Sequence, residues 1–204
     1  MSEGLLIVLS GPSGAGKGTV CDALMKHRSD LVLSVSCTTR ERRPGEYEGV
    51  DYYYKTKEEF EGLIEQGEFL EYASVFSNFY GTPRSFVAEK LSEGNNVLLE
   101  IDVQGALKVK ESFPDGVFLF LVPPSMEELE KRIRGRATET EEQITARLSK
   151  ASYEMNKMSE YDYIIVNDHI EKVVKSIESI IEAEKLSVAR NMEKFKYLRN
   201  GEDI

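Results

Sequence analysis

Residues 5–19, LLIVLSGPSGAGKGT, constrain the fold more than any other part of the chain, because an apolar run stops there at a glycine-rich turn ending in Lys17. Residues 5–10 lack the polar alternation of a half-exposed strand, which predicts a parallel strand covered by helices on both faces. Gly11, Gly14 and Gly16 then let the backbone bend and approach a ligand with no Cβ in the way. With Pro12, Ser13 and Ala15 between them they fit the first part of G-x-x-x-x-G-K-[ST], the phosphate loop. In that arrangement successive N–H groups form an anion nest, the helix beginning near Lys17 adds its N-terminal partial charge, and the lysine reaches the β- and γ-phosphates. The expected ligand is a nucleoside triphosphate. Gly18 stands where the motif has Ser or Thr, so either the Thr19 hydroxyl helps to hold Mg²⁺ or the ion depends on water and phosphate oxygens.

The balance of 26 basic against 36 acidic side chains, a net charge of −10, argues against nucleic acid as a partner, since duplex binding needs an extended basic surface. No run approaches the ~18 apolar residues that cross a bilayer. The opening MSEG lacks the basic start of a signal sequence, so no membrane association and a cytoplasmic location are expected. Cys21 and Cys37 are too few and too separate for a disulfide framework or a metal site.

The remaining chain alternates strand and helix. Val20 and Leu24 share a buried face of the helix after the loop, and residues 31–39 are β-rich. Arg40-Glu41-Arg42-Arg43 before Pro44-Gly45 reads either as a solvated turn or as a phosphate clamp. A short strand at 51–54, a capping box at Thr56-x-x-Glu59, a strand at 69–73, a loop at 78–83 and a helix to about 93 make residues 34–95 an inserted α+β lobe. The parallel pattern resumes at 97–102, 103–112 and 117–122. Ser125-x-x-Glu128 opens an arginine-rich helix, and a further helix carries Arg147, so residues 125–157 read as a helical lid. A last strand at 161–167 and an amphipathic helix complete a doubly wound parallel α/β core made of residues 1–33, 96–124 and 158–204, with ligands at the carboxyl ends of its strands.

GPSGAGKGT, SVSCTTRERRPGE, DYYY, FLEYA, NFYGTP, LLEIDVQGA, RIRGRATETEEQITARL and YIIVND span nearly the whole chain in order, and with them it closely resembles guanylate kinases. The resemblance implies a P-loop nucleoside monophosphate kinase with an inserted GMP-binding lobe and a lid, transferring the γ-phosphoryl group of ATP to GMP with Mg²⁺. Carried over by motif, Ser36, Arg40, Arg43, Tyr52, Glu71, Tyr80, Thr82 and Asp102 would form the GMP site. Arg132, Arg136 and Arg147 would come down from the lid on the ATP phosphates, while Asn167 would lie near the adenine. Positions 132 and 136 are i, i+4 and share a helix face; Arg134 lies off it and is not assigned. Scaffold modules with this fold that bind proteins have usually lost the loop lysine, which is present here. Whether the long C-terminal helix makes a homo-oligomer is left open.

Overall fold

In the computed structural model, which describes residues 4–75, 77–135 and 140–196, β1 (Leu6–Ser10) leads into α1 (Lys17–His27) and β2 (Leu31–Leu33). Two short strands, β3 (Cys37–Thr38) and β4 (Tyr53–Tyr54), precede α2 (Lys57–Glu65), the antiparallel pair β5 (Phe69–Val75) and β6 (Asn78–Pro83), and α3 (Arg84–Ser92). The chain continues as β7 (Asn96–Glu100), α4 (Val103–Ser112), β8 (Val117–Val122), α5 (Met126–Arg134) and α6 (Glu141–Met155). A 3₁₀ turn, Met158–Glu160, then leads to β9 (Tyr163–Val166), α7 (Ile170–Lys185) and α8 (Val188–Asn191).

β2, β7, β1, β8 and β9 form, in that order, a sheet whose pairings are all parallel. From β1 the chain runs out to edge strand β2, returns to β7 and crosses to β8, so the strand order reverses about β1. Its carboxyl end is where such a sheet opens a crevice for ligand. Both faces are covered, as the unbroken apolar run of β1 requires: Ile7 and Leu9 pack with Val20, Leu24, Val173 and Ile177 from α1 and α7, and Leu6 and Val8 pack with Val87, Ala106 and Val109 from α3 and α4. Each such fully buried Val, Leu or Ile side chain contributes ~1.5–3 kcal/mol. No described helix is long and apolar enough to cross a membrane.

A second, mixed sheet runs β4-β3-β6-β5. It departs from the sequence expectation in two places. Residues 31–39 split between the two sheets, β2 joining the parallel one and β3 the mixed one. Residues 78–83, expected as a loop, are strand β6, paired antiparallel with both β5 and β3. Gly81 there serves packing and not bending, because a Cβ would lie 2.8 Å from the Phe69 ring and 3.0 Å from that of Phe60, which stack with centroids 4.5 Å apart. Pro83 ends the strand, where a missing N–H is tolerated.

The predicted capping box of α2 closes in both directions between Thr56 and Glu59, whereas at α5 the Ser125 side chain accepts from the Glu128 N–H. α6 begins with a further box, Thr140 with Gln143. The mixed sheet meets the core where β5 lies beside α4: Lys108 donates to the Tyr72 carbonyl, and Gly105 leaves room for the Glu71 carboxylate, which a Cβ would approach to 2.6 Å.

Candidate functional site

After β1 the backbone turns through three positive-φ glycines, Gly11 at 146°, Gly14 at 88° and Gly16 at 91°. Each is also sterically bound to be glycine or nearly so: a Cβ on Gly11 would come within 2.2 Å of the Leu121 carbonyl oxygen, and one on Gly16 within 2.6 Å of Asn167 Nδ2. Gly16 is the N-cap of α1, so the helix opens its free N–H groups toward the loop. An open pocket of about 270 Å³ is lined by Ser13, Gly14, Gly16, Lys17, Gly18, Thr19 and Glu100. Lys17 Nζ curls back onto the Gly11 and Pro12 carbonyls, at 2.8 and 3.3 Å. Its burial lowers the ammonium pKa from the ordinary value, and the carboxylates of Glu100, Glu154 and Asp102 act against that fall.

Two of the three expected lid arginines rest on this loop. Arg132 on α5 donates to the carbonyls of Ala15 (3.4 Å) and Asn167 (3.1 Å), with Glu128 one turn before it at 3.0 Å. Arg147 on α6, 7% exposed, donates to the Ser13 hydroxyl at 2.8 Å. Asn167, just past β9, donates to the Ala15 carbonyl at 2.7 Å. α5 ends at Arg134, and Arg136 lies outside the described residues. Arg134 pairs with Glu130 and Glu141 on an exposed face.

The residues expected to meet GMP fall into two groups. Arg40, Tyr52 and Tyr80 are gathered at one end of the mixed sheet: the Arg40 guanidinium lies 5.4 Å from the Tyr52 ring centroid, and the Tyr52 and Tyr80 rings meet edge-on at 5.9 Å. Burial pushes the Tyr52 hydroxyl up to about 12, so it is a donor at neutral pH. Arg43 is exposed, and Ser36 accepts the Tyr53 N–H through its carbonyl. In the second group, Glu71 and Thr82 are buried side by side, Thr82 Oγ1 donating to Glu71 Oε1 at 2.7 Å. Burial raises the Glu71 carboxyl to about 7, assisted by nearby Asp102 and opposed by the Thr82 hydrogen bond and Lys108. Asp102 caps α4 by accepting the Gly105 N–H through Oδ1. Its other oxygen is buried with no hydrogen-bond partner among the described residues and faces Lys150 Nζ at 3.6 Å.

Three acidic residues that the sequence reading passed over belong to the same neighbourhood. Glu46 accepts Arg40 Nη2 on both of its oxygens (2.7 and 3.0 Å), together with the Arg43 N–H and the Tyr54 hydroxyl. Burial would raise its pKa, but those donors outweigh it and hold the carboxyl at about 2. Glu100, at the end of β7, lines the loop pocket, and burial raises its pKa against the pull of Lys17. Glu154 on α6 accepts the Ser13 N–H at 3.2 Å. Position at a strand's carboxyl end could have pointed to Glu100; no local pattern marks Glu46, whose partners come from residues 40, 43 and 54.

The family model described as guanylate kinase matches residues 3–184. The chain is 54% identical to the guanylate kinase of Caldanaerobacter subterraneus subsp. tengcongensis over 97% of its own length and 96% of that protein's. To the guanylate kinase of Clostridium acetobutylicum it is 57% identical, with 92% and 90% covered. The crystal structure of guanylate kinase from Anaplasma phagocytophilum superposes with a TM-score of 0.83 at 38% identity, covering 100% of this chain and 98% of that one.

Proposed function

The chain belongs to the guanylate kinase family, and on that premise we propose how its residues divide the work of transferring the ATP γ-phosphoryl group to GMP. The observation that carries the reading is convergence: the glycine loop with Lys17, the arginines of α5 and α6, and the buried Glu71–Thr82 pair all border the carboxyl end of the parallel sheet. The loop amides and Lys17 bind the β- and γ-phosphates of ATP, and Arg132 and Arg147 neutralise charge on the transferring group. Arg136 joins them in this proposal. Asn167, already bonded to the loop, borders the adenine.

Across the cleft, Arg40, Arg43, Tyr52 and Tyr80 donate to the GMP phosphate. Glu71 and Asp102 accept from guanine N1–H and N2–H₂, and Ser36 and Thr82 add hydroxyls, Ser36 donating to O6. Guanine needs adjacent acceptors where adenine does not, and two neighbouring carboxylates provide them. The attacking phosphate oxygen is anionic at neutral pH, so no side chain has to remove a proton. Catalysis is then alignment of donor and acceptor with neutralisation of charge. The lid, proposed as residues 125–157 over a core of 1–33, 96–124 and 158–204 and a GMP lobe of 34–95, excludes water that would otherwise take the phosphoryl group.

The loop pocket suits Mg²⁺, a hard cation that keeps several waters and takes few protein oxygens. No cluster of three or more acidic, His or Cys ligands exists among the described residues, but the exposed Thr19 and the Glu100 carboxylate line the same pocket. These two would hold the ion, which would supply neutralisation of phosphate charge when bound.

A coupled assay of ADP formation from Mg-ATP against GMP, AMP, CMP and UMP tests the reading. GMP should be preferred by ~10³-fold or more in kcat/KM, because buried acceptors are left unpaired by the wrong base. Equal rates with AMP would overturn it.

A further inference from the structure

We propose that Glu154 is a positioning residue for phosphoryl transfer: it fixes one peptide plane of the phosphate loop, and through that plane the ammonium of Lys17. The inference rests on the assignment of the loop as the ATP phosphate site. Arg147, Lys150 and Glu154 recur at i, i+3 and i+7 and so lie on one side of α6, a side that also carries the buried Ile144 and Ala151. Glu154 is 4% exposed. A carboxylate so deeply enclosed is costly unless its oxygens are engaged, and an apolar side chain would pack a helix against a loop at less cost. Its presence there calls for a task that packing does not supply.

The two oxygens have separate partners. Oε1 lies 3.5 Å from Lys150 Nζ, which also faces Asp102 Oδ2 at 3.6 Å. Oε2 accepts the backbone N–H of Ser13 at 3.2 Å. That N–H and the Pro12 carbonyl belong to the same peptide unit, which is planar and turns as one body. The Pro12 carbonyl in turn accepts from Lys17 Nζ at 3.3 Å and from the Ala15 N–H at 3.1 Å. Glu154 on one edge of the plane therefore sets the acceptor for Lys17 on the other. The same helix holds the Ser13 side chain through Arg147. The N–H and the hydroxyl of one loop residue are tied to α6, so the proposed lid helix and the loop lysine keep a common register.

The test uses the full chain and compares Glu154→Ala and Glu154→Gln with the native enzyme in initial rates over Mg-ATP and GMP, with thermal melts of each. Gln keeps an oxygen for the Ser13 N–H and Ala does not. Glu154→Ala should lose ~10²-fold in kcat, the size of effect that a small misplacement of reacting groups produces, with KM for GMP unchanged, and Glu154→Gln should stay within about tenfold of native. A kcat for Glu154→Ala within about threefold of native, or a Gln variant as impaired as Ala, overturns the proposal. If the Ala variant does not fold, a Gln variant more than about tenfold below native kcat overturns it alone, and one within that limit supports it. Lys17→Met in the same assay separates the two layers: normal turnover there would overturn the loop assignment, whereas a dead Lys17→Met beside a normal Glu154→Ala would overturn only the role of Glu154.

Discussion

The two sides of the cleft are built by different means. On the phosphate-loop side the groups proposed to face ligand are mostly backbone, shaped by positive-φ glycines within six residues and braced by Asn167, Arg132 and Glu154 bonding to the loop's own carbonyls and amides. On the acceptor side the proposed groups are side chains from β5, β6, the N-cap of α4 and the segments flanking β3 and β4, joined by Glu46 and by the Glu71–Thr82 pair. The strands beneath Arg40 and Tyr52 are only two residues long. A backbone nest tolerates changes of side chain but not an added Cβ; a side-chain pocket tolerates changes of backbone support but not the loss of one functional group. Four measurements can break or sharpen that contrast.

Lys17 is the exception on the backbone side, a loop side chain to which the proposed reaction gives the transferring phosphate, and its loss should be the most damaging. Lys17→Met is expected to lower kcat by ~10³-fold or more, about 4 kcal/mol of barrier, with an unchanged Tm. Near-normal turnover would remove the loop from the mechanism.

On the side-chain side, Glu71→Gln exchanges one acceptor oxygen for a donor. A fall of ~10²-fold in kcat/KM for GMP and a narrower GMP-to-AMP ratio are expected, measured at saturating Mg-ATP. If the ratio held in a well-folded variant, guanine would be read by other groups.

Glu46 touches the acceptor site at one remove, through Arg40. Glu46→Ala should raise KM for GMP by about tenfold and leave kcat nearly unchanged, because the guanidinium remains but loses the carboxylate that holds its Nη2. A drop in kcat with constant KM would contradict that division.

The smallest effect concerns stability. Burial raises the Glu71 carboxyl to about 7, above the 4.5 of an exposed glutamate. Between those values the folded chain holds a proton that the unfolded chain has released, so this contribution is complete below pH 4.5 and is lost as pH rises through 7. Relative to native protein, Glu71→Gln should therefore gain a few degrees in Tm between pH 5 and pH 8. A pH-independent difference would mean that Glu71 is ionised throughout.

The contrast also marks how far the sequence could be read. The strand-loop-helix unit around Lys17 was legible because its signals are local: an apolar run, glycines at positions whose φ only glycine adopts readily, then a helix start. The capping box at Thr56 and Glu59 was legible for the same reason. β6 was not, since Gly81 and Pro83 resemble turn chemistry until Phe60 and Phe69 are seen packed against the glycine. The i, i+4 argument that pairs Arg132 with Arg136 falls on a position outside the described residues.

By itself the sequence determined the phosphate loop, the alternation that gives a doubly wound sheet, and a motif series specific enough to identify the family; these depend on neighbours in the chain. Tertiary structure decided which acidic groups are buried, and hence that Glu71 titrates near 7, that Glu46 organises Arg40, and that Glu154 reaches a loop 141 residues away. Desolvation and long-range hydrogen bonding exist only once distant segments exclude water from one another, and no local pattern of residues encodes that exclusion.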